Sequence, residues 1–474
     1  MKKLVKIVAL VIIAPLAGCM MGPNFQKPDV ETPYNFRFAE SEPEAAANLK
    51  WWELFNDPVL NSLIITALTD NKDAMIAASR IEEARASLGF TRADQYPRLD
   101  IEGGARVGTF TGVSRSSTTD KSAYIAPVLS WEIDFWGKYR RSTESARAQL
   151  MASEYSLRTV QIGLISEVAG TYYLLLDYRL RLFISKSTLD SRLKSLDIIQ
   201  KRFDKGIIPE IDLNQAQIQK EIAFAAIPLH ERLIANTENA LSILLGKFPG
   251  EIETGYDLND QTFLPDIPAG LPSSILQRRP DVAEAMYLLE AQTAKIGVAE
   301  ALRFPSITLT GLLGVASSEL SSVTTDGDIW SVGCSLFGPL FNFNKNLERV
   351  EIEKERTRQT LYFYENRVLN AFREVADALN EIQTYKRQIS SVERKYTAAK
   401  NAAFLSKLRY DKGVTSYLEV LETERTHFSV GLELSELKQQ FYNSYVKLYK
   451  ALGGGWLSKE EMEQVQGQPE APKK

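Results

Sequence analysis

Arg202-Phe203-Asp204-Lys205-Gly206 closes one long glycine-poor stretch of this chain, and 207 residues later Arg409-Tyr410-Asp411-Lys412-Gly413 closes another in the same way. The likeness spreads outward from the two turns. Glu167-Val168-Ala169 returns as Glu374-Val375-Ala376, and Leu245-Gly246 as Leu452-Gly453, again 207 apart. Further upstream, the run from Leu88-Gly89 to Tyr96-Pro97-Arg98-Leu99 returns as Ile296-Gly297 to Phe304-Pro305-Ser306-Ile307 at a spacing of 208. A near-constant offset kept over most of the chain marks duplication of a whole structural unit rather than a short solenoid period.

The stretch before each turn predicts a very long helix. From residue 138 to about 203, Val168, Leu175, Leu182, Leu189, Leu196 and Phe203 keep heptad spacing, and Val375, Ile382, Ile389, Tyr396 and Tyr410 keep it in the second copy. At about 1.5 Å per residue such a helix reaches roughly 100 Å. Shorter return helices are expected to about Gly246 and Leu452, with single preceding helices over about 60–95 and 280–303. Glycine and proline gather in 246–273 and after Gly453, as connectors do.

Between helices, the pattern changes to a period of two. Leu99, Ile101, Ala105 and Val107 alternate with Asp100, Glu102, Gly104 and Arg106; Ile125, Leu129, Trp131, Ile133 and Phe135 alternate with Ala126, Ser130, Glu132 and Asp134. In the second half, Ile307, Leu309, Leu313 and Val315 face off against Ser306, Thr308, Thr310 and Gly314, and Trp330, Val332, Cys334 and Leu336 against Ser331, Gly333 and Ser335. Four strands with one apolar face fit either a soluble sheet or tilted membrane strands. Trp131, Phe135, Trp136 and Trp330 at the strand ends favour a membrane interface. Gly108 to Ser122 and Ala316 to Asp328, rich in Ser, Thr and Gly, are expected to be the hairpin tips. An open edge in hydrocarbon is costly, so several copies must pool their strands to close a barrel. The spacing yields a multiple of four strands and leaves the multiple open.

The first residues address the compartment. Lys2, Lys3 and Lys6, an apolar run from Leu4 to Pro15, and Leu16-Ala17-Gly18-Cys19 resemble a bacterial lipoprotein signal, which implies cleavage after residue 18 and acylation of Cys19 by diacylglycerol and an N-acyl chain. Met20 in place of Asp after the Cys implies sorting to the outer membrane. Beyond this signal no transmembrane helix is expected. Only Cys334 remains, in an apolar strand, where it is expected to be inert packing, and no intramolecular disulfide is available. A net charge of -4 argues against a nucleic-acid partner. The two histidines, His230 and His427, lie on different helices without neighbouring Cys, so no metal site is expected. No phosphate-cradling loop, nucleophile elbow or paired acid and base is found, and no enzymatic activity or cofactor other than the lipid is expected.

Gly22-Pro23-Asn24-Phe25 with Lys27-Pro28, Trp51-Trp52-Glu53-Leu54-Phe55-Asn56-Asp57-Pro58, Arg278-Arg279-Pro280-Asp281-Val282, Phe304-Pro305-Ser306-Ile307, Tyr417-Leu418-Glu419-Val420-Leu421-Glu422 and Tyr449-Lys450-Ala451-Leu452-Gly453-Gly454-Gly455-Trp456 stand together in this chain. In these it resembles the TolC superfamily of outer-membrane efflux proteins, in particular its OprM-like lipoprotein branch, the NodT family. The resemblance implies an α+β fold in which a homotrimer closes a 12-stranded transmembrane β-barrel, four strands per protomer, continued by a periplasmic α-helical coiled-coil barrel. It implies a signal at 1–18, a lipid-anchored segment at 19–60, efflux repeats at 61–246 and 274–453, a connector at 247–273 and a tail at 454–474. The expected function is a passive outer-membrane exit duct for drugs or other toxic small molecules, driven by an inner-membrane pump of the resistance-nodulation-division (RND) type through a periplasmic adaptor, a membrane fusion protein. A type I protein-secretion duct and a non-conducting lipid-anchored scaffold are the alternatives.

The same resemblance implies a periplasmic gate at Leu418, Glu422 and Arg425, whose spacing of four and three places them on one helical face. Glu422 stands where the family usually carries Asp. Plain helical core at Leu418 and ordinary helical pairing of Glu422 with Arg425 fit the spacing equally. Asp100, Glu102, Glu132 and Asp134 are expected to face the lumen near its lower rim and bias it towards cations, unless they are simply solvated. Lys205, Gly206, Lys412 and Gly413, at the tips, are candidates for adaptor contact, although turn geometry alone accounts for the glycines.

Overall fold

In a computed structural model, described here for residues 20–30, 33, 51–111, 114–261, 278–317 and 327–454, the helices and strands follow the duplicated order. Cys19, the signal, the heart of the connector, the ends of both hairpin loops and Gly455-Trp456 lie outside the described residues. A 3-10 helix at Trp51–Phe55 precedes α1 (Pro58–Asp70) and α2 (Lys72–Ala93). Then come β1 (Arg98–Thr111), β2 (Ser114–Ile133), α3 (Lys138–Asp204) and α4 (Glu210–Leu244). The second half repeats this as α5 (Pro280–Ala301), β3 (Ser306–Ser317), β4 (Asp328–Phe337), α6 (Lys345–Asp411) and α7 (Tyr417–Ala451).

Two expectations need correction. The single helix over 60–95 is two helices, because the Asn71 side chain turns back to accept from Asp73 N (2.9 Å) and Ala74 N (3.0 Å), capping α2, while its Nδ2 donates to the Leu244 carbonyl. The first hairpin tip is far shorter than Gly108 to Ser122: pairing runs on to Phe110↔Arg115 and Thr111↔Ser114, with a bulge between Gly108 and Phe110. Ser and Thr in this run are strand residues, which their β-branched or small side chains permit.

The contacts sort the chain into two compact units, each drawing on both sequence halves. One comprises Met1–Asp29, Ser79–Glu154 and Glu284–Glu365 and contains the sheet. Its four antiparallel strands run in the order β1-β2-β3-β4. Arg98 pairs with Ser130, and Ser306, 208 residues after Arg98, pairs with Phe337, 207 after Ser130, so the duplication is preserved at the level of hydrogen-bond register. The N-terminal segment is inlaid here. Buried Arg141 donates to the carbonyls of Met21 and Gly22 and to Asn24 Oδ1, each at 2.9 Å, and pairs with Glu144. A Cβ on Gly297 would stand 2.5 Å from the Met21 carbonyl oxygen, so this close approach requires glycine.

The other unit comprises Val30–Ala78, Tyr155–Ala283 and Asn366–Lys474. Its core sits on the heptad seam, where Val168, Leu175, Val375, Ile382 and Ile389 are buried. Helix α3 holds one window apolar enough to cross a bilayer, which periodicity alone did not single out; more than half of that window is buried in the protein, as in a core helix. Two polar hubs explain sequence motifs. Buried Asp57 caps α1 through Val59 N and Leu60 N and accepts from Tyr172 Oη (2.7 Å) and Gln261 Nε2 (3.2 Å). Buried Arg279 joins Asp281 (2.7 Å), Glu374 (2.7 Å) and the Ala451 carbonyl (3.0 Å), and the guanidinium holds the Asp281 carboxyl below its usual value against the opposing effect of burial.

Candidate functional site

The two turns are the same object. Gly206 N donates to the Phe203 carbonyl and Ile207 N to that of Arg202; Gly413 N and Val414 N do likewise to Tyr410 and Arg409. This is a Schellman closure with the glycine left-handed, at φ +68° for Gly206 and +73° for Gly413. A Cβ on either glycine would meet nothing within 4 Å, and Lys205 and Lys412 beside them are exposed. Beneath the turns, Ile199, Leu213, Ala216, Tyr417, Val420 and Leu421 form a buried cluster, edged by Leu196, Phe203, Ile208 and Tyr410.

Leu418 lies outside that cluster. Its neighbours Tyr417 and Leu421 are each 5 % exposed, whereas Leu418 is 62 % exposed, so the helical-core alternative is corrected. Glu422 and Arg425 lie on the same exposed face and pair within the chain at 2.5 Å. An ion pair this open to solvent contributes about 0–1 kcal/mol and exchanges partners readily. Four further charged groups tie the tips together: Arg202 with Asp411 (3.4 Å), its guanidinium 4.8 Å from the Tyr410 ring, and Arg409 with Glu419 (3.0 Å).

Sequence reasoning quoted Arg202 and Arg409 as repeat markers without giving them this work, and it missed Arg192 and Glu424 altogether. Arg192 is buried, donates to the Gln219 carbonyl and lies 5.2 Å from the Phe428 ring, while its Nε and Nη2 find no partner among the described residues. Burial raises the Glu424 carboxyl above its ordinary value, opposed by Lys407 and Arg192. No heptad or alternation rule marks a charge turned inward on an otherwise ordinary helix.

In the sheet the registers merge four separate alternations into two faces. Leu99, Ile101 and Val107 of β1, Ile125 and Leu129 of β2, Leu309 and Leu313 of β3 and Trp330, Val332 and Leu336 of β4 share one face. Many of these are exposed, from 42 % at Leu129 to 82 % at Val332. Cys334 is on this face and exposed, which corrects the expectation that it serves as inert packing. Asp100, Glu102, Thr308, Thr310 and Ser335 share the opposite, polar face with Glu132.

The four acids are not an unpaired acidic rim. Asp100 pairs with Arg98 (2.6 Å), Glu102 accepts from Tyr124 Oη (2.7 Å), and Glu132 takes Lys138 (2.5 Å) and Tyr139 Oη (2.8 Å). Asp134 caps the start of α3, accepting from Tyr139 N (3.1 Å) and Arg140 N (2.8 Å) with the Arg140 side chain alongside. Trp131 and Trp136 donate to the carbonyls of Gln95 and Pro305, and Trp136 stacks on Phe304 at 4.5 Å.

A four-stranded sheet with one exposed apolar face, in a chain that also carries two 67-residue helices, fits the class of proteins that combine membrane strands with long helices. Comparison with known proteins gives its family. The family described as outer membrane efflux protein matches residues 63–247 and 271–454, and the chain belongs to it. The chain is 33 % identical over 458 residues to the cation efflux system protein CusC of Escherichia coli O6:H1, covering 95 % of this chain and 99 % of that one. It is 36 % identical over 456 residues to the solvent efflux pump outer membrane protein SrpC of Pseudomonas putida, covering 93 % and 96 %. The outer-membrane channel OprN superposes with a TM-score of 0.86 at 29 % identity, covering 92 % of this chain and all of that one. The protein is thus an outer-membrane channel component of an efflux system.

Proposed function

We propose that three copies pool their four strands into a closed twelve-stranded barrel, and that their helices continue it as a periplasmic duct. The observation that carries this is the sheet itself: one continuous exposed apolar face and an open edge on both β1 and β4. In hydrocarbon each unpaired edge group costs several kcal/mol, and closure by identical copies satisfies all of them at once. The repeats at 61–246 and 274–453 then supply equivalent staves, joined by the connector at 247–273. Cys19, acylated, anchors the segment that Arg141 holds against the base of the strands.

The duct does no chemistry and draws its energy from an RND-type pump, reached through an adaptor at the tips around Lys205, Gly206, Lys412 and Gly413. At rest it closes at Leu418, Glu422 and Arg425: an exposed leucine repeated threefold makes a ring that resists wetting, and the charged pair beside it filters ions. Since relatives of similar identity are named for cation and for solvent efflux, the duct's cargo is small molecules or ions that the pump selects.

The test joins mass to conductance. The purified lipoprotein in detergent is expected to have three times the chain mass and, in planar bilayers, to form channels; a deletion strain is expected to become more sensitive to toxic small molecules than its parent. A trimer without conductance would point instead to a scaffold, and unchanged small-molecule sensitivity with a lost secreted polypeptide to a type I secretion duct.

A further inference from the structure

We infer that β4 of one copy pairs antiparallel with β1 of the next in the register carried over from β2 and β3, with Cys334 opposite Ala105 of the next copy. This rests on the multi-copy barrel proposed above. Within one chain the β1–β2 register becomes the β3–β4 register when β1 is advanced by 208 residues and β2 by 207. The same two shifts convert the β2–β3 pairing into a pairing between copies: β2 advances to β4 and β3 steps back to β1. Ile125↔Val315 then becomes Val332 opposite Val107. All of β4 finds a partner inside β1, from Asp328 opposite Thr111 to Phe337 opposite Glu102.

Polarity agrees independently. This register sets the exposed apolar face of β4 beside that of β1, and a slip of one residue would turn one strand's apolar side chains into the polar face. The helix junctions agree as well. Trp136, which stacks on Phe304 and bonds to Pro305, advances to Phe343; Phe304-Pro305 steps back to Tyr96-Pro97. Next to these residues Gly137 and its counterpart Asn344 share the left-handed conformation, φ +77° and +66°, with the difference that Phe343 is left-handed too, at +49°, where Trp136 is not. Phe343 is 85 % exposed, touching the Phe341 ring at 4.6 Å, and Tyr96 is 58 % exposed. In the assembly Phe343 covers Tyr96-Pro97 of the next copy as Trp136 covers Phe304-Pro305 within the chain.

Directly opposed residues of an antiparallel pair have Cα atoms about 4.5–5.5 Å apart, inside the disulfide range. Ala105→Cys therefore supplies the one thiol needed to link to native Cys334 between copies. Mild oxidation of the detergent-purified trimer is expected to give covalent trimers on a non-reducing gel, abolished when Cys334→Ser is added. Gly103→Cys and Val107→Cys, offset by two, place the thiols on diagonals of about 7–8 Å and are expected to link at least about tenfold more slowly. Tyr96→Cys with Phe343→Cys, in a Cys334→Ser background, is expected to link as well. Faster linkage at Gly103→Cys or Val107→Cys, or no linkage at any position in a protein that is trimeric by mass, overturns the register and leaves the barrel standing. A monomeric mass overturns the barrel reading and this inference with it.

Discussion

The return helices α4 and α7 are both 35 residues long and both follow the same turn, yet α7 buries 16 residues within the chain and α4 only eight. What α4 exposes is not random. Ile211, Ile218, Ile222 and Leu229, spaced by seven, four and seven, are 61, 56, 44 and 41 % exposed. That is a coiled-coil seam left uncovered by the described residues of its own chain. On α7 the one large exposed hydrophobic is Leu418, at the very start. Duplication produced two equal hairpins; divergence left one with an apolar stripe for a neighbouring surface and the other with a single leucine where the duct is proposed to narrow.

The most disruptive way to break this contrast is to charge the stripe. Ile218→Glu with Ile222→Glu is expected to leave the detergent-purified protein largely monomeric by light scattering and to make the cell as sensitive as a deletion strain. Burial of an isoleucine in an interface is worth about 1.5–3 kcal/mol, and each copy would lose two. Retention of the trimer would mean that the stripe faces solvent.

Leu418 sharpens the other side of the contrast. Because the side chain is exposed, Leu418→Ala is expected to change the melting transition little, by less than about 0.5 kcal/mol. Resting conductance in bilayers is nevertheless expected to rise severalfold, since a smaller apolar ring wets more easily. A large loss of stability with unchanged conductance would return Leu418 to the packed core.

Much of this was legible because two periods, seven and two, act on long uninterrupted runs. The limits of the long helices could be read from Lys138 and the Asp-Lys-Gly turns, since the glycine after each helix is a backbone necessity. The strand faces were equally readable from alternation. What the patterns did not disclose depends on single side chains meeting across elements. Asn71 splits a helix by capping its own successor, a competition that periodicity averages away. Asp134 reads as one more polar-face acid but is held by the amides of Tyr139 and Arg140 in the first turn of α3, five and six residues further on. Arg192 and Glu424 have ordinary surface-residue identities, and Arg192 is buried and Glu424 half-buried only because helices meet there. Leu418 was assigned by resemblance, and only its exposure beside buried Tyr417 and Leu421 separates it from core.

Each return helix also carries one histidine, and they are not equivalent. His230 on α4 is buried, whereas His427 on α7 is half-buried and leans on the Tyr396 ring at 5.1 Å; each keeps one ring nitrogen, Nδ1 and Nε2 respectively, unpartnered among the described residues. Burial, helped by Arg181 and opposed by Asp177, lowers the His230 value below its ordinary one. The unfolded chain then takes up the proton first, so stability is full above the ordinary histidine value of about 6.5 and falls on acidification through the lowered one. Asp177, raised by burial, acts in the opposite sense at lower pH, where its protonation favours the folded state. His230→Gln is expected to flatten the decline in thermal stability between about pH 7.5 and 5.5. An unaltered slope would assign the decline to His427, whose value burial also lowers.

The smallest effects test whether the two turns are still one object. Gly206 and Gly413 have nearly the same φ, the same pair of closing hydrogen bonds and the same empty space around a would-be Cβ. Alanine at either therefore meets only the intrinsic penalty of the left-handed region, about 1–2 kcal/mol, with no added clash. Gly206→Ala and Gly413→Ala are expected to lower the denaturation midpoint equally. Equality in the isolated protein, followed by a larger loss of efflux at one turn than at the other in cells, would locate the adaptor contact on that turn. Unequal midpoints would show instead that neighbouring copies press on one tip only, and that the divergence seen between α4 and α7 extends into the turns that precede them.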